Sequence, residues 1–321
     1  MRNLIIAALI IVMAAYLGVK WKLHSDVESG VDMAVLMMAP FAEVSYEGIS
    51  STLSGELTID GIRGRVNGFQ DEFAIARLGI DTPSFLSLMR LGDVQGFMMS
   101  GGDALPSSFG VLIEGLRMPA DADYGHMLHD ARLQSLGVAD AGDVASECTG
   151  KYGLSPAALV AMGYEQYDLS FSAHFRQLDG RYAIEIASAS ADMWEVDAEV
   201  ILSGSMLTEL ASGPMARPRM AEMRIEYVDR SMRDRIAEYC ARRGLTPEQT
   251  LEAQLDAFRF FGRESGIEFD DYVMGPYREF LGGKNTLVVT ASPIEPVALS
   301  QISLYKPSDV PALLQLSAEA L

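Results

Sequence analysis

Two cysteines, two tryptophans and four histidines are all that this chain of 321 residues has of those types. Two cysteines leave room for one disulfide and no more. Four histidines, without a second ligand pair nearby, leave little material for a metal site. Basic residues are also short, 25 Lys and Arg against 44 Asp and Glu, for a net charge of −19. Nucleic-acid phosphates need a basic surface to replace condensed counterions, so this balance argues against nucleic acid as a partner. It argues equally against electrostatic docking on anionic lipid. No basic run or low-complexity tract interrupts the chain. The sequence also lacks a Gly-x-Ser-x-Gly elbow, a phosphate-binding Gly-Lys-Ser/Thr loop, a dinucleotide fingerprint and a His-Glu-x-x-His helix.

What is present is a globular composition, 49% hydrophobic, long enough for one large domain or two modest ones. Leu4 to Val19 carry no charge and are closed by Lys20, Trp21 and Lys22. A Trp between two lysines suits the head-group level of a membrane. Ala14 and Ala15 run into Tyr16 and Leu17 rather than a small-x-small cleavage site. The expectation is an uncleaved transmembrane anchor over residues 1–22, marked by Leu4, Val19 and Trp21, with a stalk helix over 23–40 and an exported domain over 41–321.

Within that domain, strand patterns dominate 41–120, where Leu53, Leu57 and Ile59 alternate and Thr82-Pro83 should start a brief helix. Residues 121–163 read as helical. A β-meander follows over 164–228. Tyr167, Leu169, Phe171, Ala173 and Phe175 share one face, Asp179-Gly180 turns the chain, and Tyr182, Ile184 and Ile186 return. Residues 229–321 read as a helical block and a final strand, with a third helix broken near Gly275-Pro276. The fold class expected is α+β: a largely antiparallel, curved sheet with helices packed on it, preceded by one transmembrane helix.

The two cysteines each precede a Gly-Leu-Ser/Thr-Pro phrase, at residues 153–156 and 244–247. Glycine ends one helix there, and a hydroxyl caps the next before proline. Met232, Ile236 and Cys240 fall at i, i+4 and i+8, which puts Cys240 on a buried stripe. A Cys148–Cys240 disulfide is the expected pairing, with two unrelated buried thiols as the alternative. Closing a loop of about 90 residues would stabilise by roughly 4–5 kcal/mol on the chain-entropy model.

Candidate chemistry is thin. His126 and His129 are three apart on a helix beside Asp123 and Asp130, a spacing that can face a metal but that a polar helix face also explains. Ser303 to Lys306 spell serine-x-x-lysine, without the Ser-Asp-Asn and Lys-Thr-Gly elements of penicillin-interacting enzymes. Asp270-Asp271 and Asp71-Glu72 suit turns or caps. No catalytic, cofactor-binding or metal residue is assigned, no cofactor is expected, and the chain reads as a non-enzyme.

Over residues 1–120 the anchor, then "EVSYEGISSTLSGELTIDGIRG" and "LGIDTPSFLSLMRLGDVQ", resembles AsmA-like bacterial envelope proteins. That resemblance implies a curved sheet with an apolar concave face, lipid handling or envelope homeostasis, and no catalytic residues. It leads to a first expectation of a single-pass bacterial inner-membrane protein, its C-terminal domain in the periplasm, binding lipid or another apolar ligand on a sheet face. The alternative is a structural or scaffolding subunit that holds a partner protein in the envelope.

Overall fold

A computed structural model describes residues 25, 28–33, 35–52, 54–92, 106–138, 143–203 and 218–321. Among the described residues, twelve strands form one antiparallel sheet: β1 (Ala42–Ser45), β2 (Gly48–Ser51), β3 (Glu56–Val66), β4 (Glu72–Asp81), β5 (Ser108–Pro119), β6 (Gln166–Leu178), β7 (Arg181–Ser190), β8 (Trp194–Ser203), β9 (Arg219–Asp229), β10 (Thr286–Ala291), β11 (Val297–Ala298) and β12 (Ser317–Ala320). The order is β1-β3-β4-β5-β6-β7-β8-β9-β10-β12, with β2 also on β3 and β11 also on β9. The helices are α1 (Phe85–Gly92), α2 (Asp123–Ser135), α3 (Val144–Thr149), α4 (Pro156–Ala161), α5 (Met232–Arg242), α6 (Pro247–Glu264), α7 (Asp271–Leu281) and α8 (Val310–Leu314).

Period-two alternation gives the sheet one apolar and one polar face. On the apolar face, register aligns Leu57, Ile80, Val111, Ala173, Ile186, Ala198, Ile225 and Val289 across eight strands. On the polar face, Arg77 bridges Asp60 at 2.9 Å and Glu114 at 3.7 Å, and Arg176 pairs with Glu185. These pairs are exposed, so solvent screening leaves each of them little weight in stability.

The sheet is open, since β1 and β12 end the order without meeting, and it is not strongly curved. This corrects the curved sheet expected above. Bulges are the usual source of curvature, and register shifts occur at only two described places, in β5 beside β6 and in β9 beside β8. The β5 shift lies between Ile113 and Leu116, where Gly115 takes a φ of 58°, a conformation that costs glycine little.

The expected anchor, Leu4 to Val19 with Trp21, lies outside the described residues. Among the described residues, no helix is long and apolar enough to cross a membrane. The 18-residue α6 carries Glu248, Glu252, Asp256, Arg259, Arg263 and Glu264 along its length, which is the pattern of a surface helix on a core. The transmembrane helix in the fold class, the inner-membrane partner and the periplasmic single-pass topology are therefore withdrawn. The lipid-handling role built on them goes with them.

Cys148 on α3 and Cys240 on α5 form a disulfide, fully buried, with Cα atoms 5.4 Å apart. Around it pack Leu159, Met162, Tyr164, Met193, Ile236 and Tyr239. Both corner phrases cap as their chemistry dictates. Ser155 Oγ accepts from the Ala158 amide, and Thr246 with Gln249 makes a complete capping box. The first corner differs in one respect. Helix α3 stops at Gly150, left-handed at φ 68°, before Gly153 is reached.

Two other helix boundaries depart from expectation. Helix α1 starts after Ser84, whose hydroxyl accepts from the Ser87 amide, because Thr82 is buried and donates to the Gly55 carbonyl instead. Helix α7 runs unbroken through Pro276. Proline there removes only the amide that would reach Tyr272, an exposed residue one turn earlier.

Candidate functional site

The candidate chemical residues named above do not converge. His126 Nε2 lies 2.7 Å from Asp121 Oδ1, whereas His129 Nε2 lies 3.2 Å from the Gly153 carbonyl. Each imidazole is thus occupied by a different neighbour. Among the described residues, no group of three or more His, Cys, Asp or Glu is placed to hold a metal. Asp270 caps α7 by accepting from the Tyr272 amide, and Asp71 accepts from the Asp123 amide at the start of α2. Ser303 lies within a 3-10 turn over Leu299–Leu304, and Lys306 follows two residues after its end. His174 sits on the polar face, half-exposed, 3.7 Å from Asp81.

Two apolar features stand out instead. The first is a chamber of about 790 Å³ between the sheet and the helices that follow it. Its floor is the apolar face of β8 to β10, with Val196, Met223, Ile225, Leu287 and Val289. The β9 register shift matters here. It falls between the pairs that Ile201 and Leu202 make, so Met220 and Met223 both line the chamber despite their odd spacing.

The chamber wall comes from α6, α7 and the turn between them. Phe258 stacks on Phe269 at 4.6 Å and on Tyr277 at 4.1 Å between ring centroids. Phe280 then meets Tyr227 edge-on at 5.6 Å, which carries the aromatic wall back to the sheet. Such pairs add about 0.5–1.5 kcal/mol each beyond the area they bury. Gly262 lets the wall close, because a Cβ there would lie 2.6 Å from the Phe269 ring.

One end of the chamber is polar. Asp229 is only 7% exposed, and its Oδ1 accepts from the Arg233 amide at 3.0 Å and from Tyr227 Oη at 3.5 Å. Burial raises the Asp229 carboxyl above its ordinary pKa, against the lowering effect of the Arg233 amide. Burial, and then the Asp229 charge, raise the Tyr227 phenol. The Arg233 guanidinium is turned away to the Phe280 and Lys284 carbonyls and to Asn285, tying α5 to the end of α7. Tyr277 is pushed up to about 12 by burial alone.

The second feature lies at the opposite end of the sheet. The chain is helical at 28–33 and 35–38 and then enters β1. Met33, Leu36, Met37, Met38 and Phe41 are all exposed there, Leu36, Met37 and Phe41 at 67%, 71% and 68%. The segment is held in place by polar contacts. Tyr46 Oη donates to Asp32 Oδ1 at 2.6 Å, which pushes the phenol up to about 12. Asn67 donates to the Ala39 carbonyl through its side chain and to the Phe41 carbonyl through its amide. Among the described strands, β1 pairs only with β3, so its outer edge has no strand beside it.

A family model described as "Uncharacterized protein" matches residues 166–321, the span from β6 onward that builds the whole chamber. No curated protein matches the chain. The matched span excludes residues 1–120, so it has no bearing on the AsmA-like resemblance there.

Proposed function

We propose that the chain is a non-catalytic scaffold that holds a partner protein along the β1 edge of its sheet. The observation that carries this reading is the exposed apolar run, Met33 to Phe41, leading into an edge strand. Five large apolar side chains presented together exceed the singly scattered ones that need no explanation. An outer strand edge offers unpaired amides and carbonyls to an extended segment of another chain, in the manner of strand addition. Methionine supplies three of the five contacts, and its flexible thioether suits a contact surface.

The partner's chemistry follows from the surroundings. Glu43 and Glu47 are exposed at this edge, each engaged with an arginine of β3 on one side only. With a net charge of −19 over the chain, an apolar segment flanked by Lys or Arg is the complementary partner. The AsmA-like resemblance contributes only its strand-rich pattern to this reading.

Photo-crosslinking tests it. Benzoylphenylalanine placed at Leu36 should give one discrete protein adduct in the native host, and Phe41→Asp should abolish that adduct without unfolding the chain. A diffuse smear, or an adduct unchanged by Phe41→Asp, would contradict the proposal. An adduct of the chain with itself would replace the partner by a second copy.

A further inference from the structure

We propose a second binding role, independent of the β1 edge: the cleft between α2 and the start of the β6–β8 meander takes a neutral, hydroxylated ring, a sugar unit. Its floor follows from register. Leu169, Ser190 and Trp194 lie side by side across β6, β7 and β8, and Tyr167 shares their face two residues before Leu169. A serine set between a leucine and a tryptophan leaves a notch between two larger side chains. The roof is α2, with His129 and Arg132, and the corner that joins α3 to α4, with Tyr152. Gly125 lets helix and corner meet, because a Cβ there would lie 3.3 Å from the Pro156 ring. The cleft holds about 490 Å³, within the range of about 300–1,000 Å³ typical of small-molecule sites.

One atom of the floor lacks what a ligand would supply. Among the described residues, Ser190 Oγ is the buried side-chain polar atom without a hydrogen-bond partner, and Ser190 is only 3% exposed. A buried hydroxyl left unpaired costs stability, and such groups are rare in native interiors. Its row neighbours, Leu169 and Trp194, do little to hold a lone water, which needs about 2–4 polar partners. The serine hydroxyl both donates and accepts, so a ligand hydroxyl satisfies it in either sense.

The walls fix the ligand's charge and shape. Among the described residues, no Asp or Glu lines the cleft. Arg132 is paired with Glu264, and His129 Nε2 is engaged by the Gly153 carbonyl. No wall charge is left for an ion to meet, so a neutral ligand fits. Tyr167 and Trp194 stack on no other ring among the described residues. The face of an aromatic ring is negative, and hydrogens on oxygen-bearing carbons are polarised positive. A sugar ring joins such C–H faces to a rim of hydroxyls, whereas a hydrocarbon would leave Ser190 unpaired.

The test uses the full chain carrying Trp21→Phe, so that Trp194 is the remaining tryptophan. Methyl glycosides of glucose, galactose, mannose and N-acetylglucosamine are titrated in turn, with methoxycyclohexane as a ring that lacks the hydroxyls. At least one glycoside should shift Trp194 emission saturably at one site per chain, and methoxycyclohexane should not displace it. Ser190→Ala should weaken that glycoside about fivefold and, without ligand, raise the melting temperature, because the unpaired hydroxyl is gone. Tyr167→Leu removes a ring face and should weaken the glycoside about fivefold as well. Should Tyr167→Leu fail to fold, Ser190→Ala, which deletes a single oxygen, still decides. Saturation by none of the glycosides, equal binding of methoxycyclohexane, or unchanged affinity or melting temperature in Ser190→Ala would overturn the proposal.

Discussion

The two halves of the sheet share one apolar ladder but treat it differently. From β6 onward it meets helices. Phe175, Tyr182, Leu202, Met220, Val273, Ala291, Val310 and Leu314 are buried together, and Val289, Ile184 and Phe258 pack against them. From β2 to β5 the same face presents Ile49, Leu57, Ile59, Leu78, Ile80, Val111 and Ile113, all only half-buried. The strand code is the same in both, with alternating aliphatic residues in matched register. What differs is the connections: residues 230–285 between β9 and β10 form three helices that return over the sheet, whereas β3 and β4 are joined by a short turn. A pattern of alternation therefore specifies a strand and its apolar face, but the covering layer is decided by segments remote in sequence.

The comparison can be broken most severely at the staple. Cys148→Ser with Cys240→Ser releases α3 from α5, whose sequence separation is 92 residues. On the chain-entropy model this should cost about 4–5 kcal/mol, read as a lower denaturation midpoint in urea. The C-terminal half should lose protection from hydrogen exchange before the β3–β4 hairpin does.

A matched pair of truncations sharpens the contrast. Leu255, 1% exposed under the helical layer, should cost about 2–5 kcal/mol as Leu255→Ala. Leu78→Ala, on the half-buried ladder, should cost only about 1 kcal/mol, because part of its surface is already in water. Equal losses in chemical denaturation would show that the two halves are covered alike.

The smallest effect is a matter of sign. Burial raises Asp229 above its ordinary pKa in the folded chain. Between its unfolded and folded pKa values the native state holds more protons, so rising pH through that interval lowers stability. Asp229→Asn retains an oxygen for the Arg233 amide and removes the charge. The variant should therefore gain on the wild type as pH rises through that interval, and lose its advantage below the ordinary carboxylate range. Melting curves collected across that interval check the direction.

Much of the fold was legible where local chemistry decides it. The β6–β8 meander followed from Tyr167 to Phe175 and Tyr182 to Ile186. The Thr246 capping box needed only four residues. The presence of only two cysteines suggested their pairing, and the Met232–Ile236 stripe placed Cys240 in the core. Three things were illegible, each for a physical reason. Thr82 looked like a cap because its tertiary partner, the Gly55 carbonyl, lies 27 residues away. Met220 and Met223 could not be placed on one face without knowing of the register shift beside them. The chamber itself is assembled from β8, β9, α6, α7 and β10, and no single stretch of sequence encodes an enclosure. The exposed run from Met33 to Phe41 was readable as a short helix or stalk, but its exposure is a tertiary fact.

The central claim is that the apolar edge at β1 is covered by a partner while the β8–β10 face is covered by the chain itself. Hydroxyl-radical footprinting of methionine tests it directly, comparing purified protein with protein labelled inside its native cells. The account predicts that Met33, Met37 and Met38 are oxidised readily when purified and protected in cells, whereas the fully enclosed Met193 is protected in both. Equal oxidation of Met37 and Met38 in the two settings would contradict it.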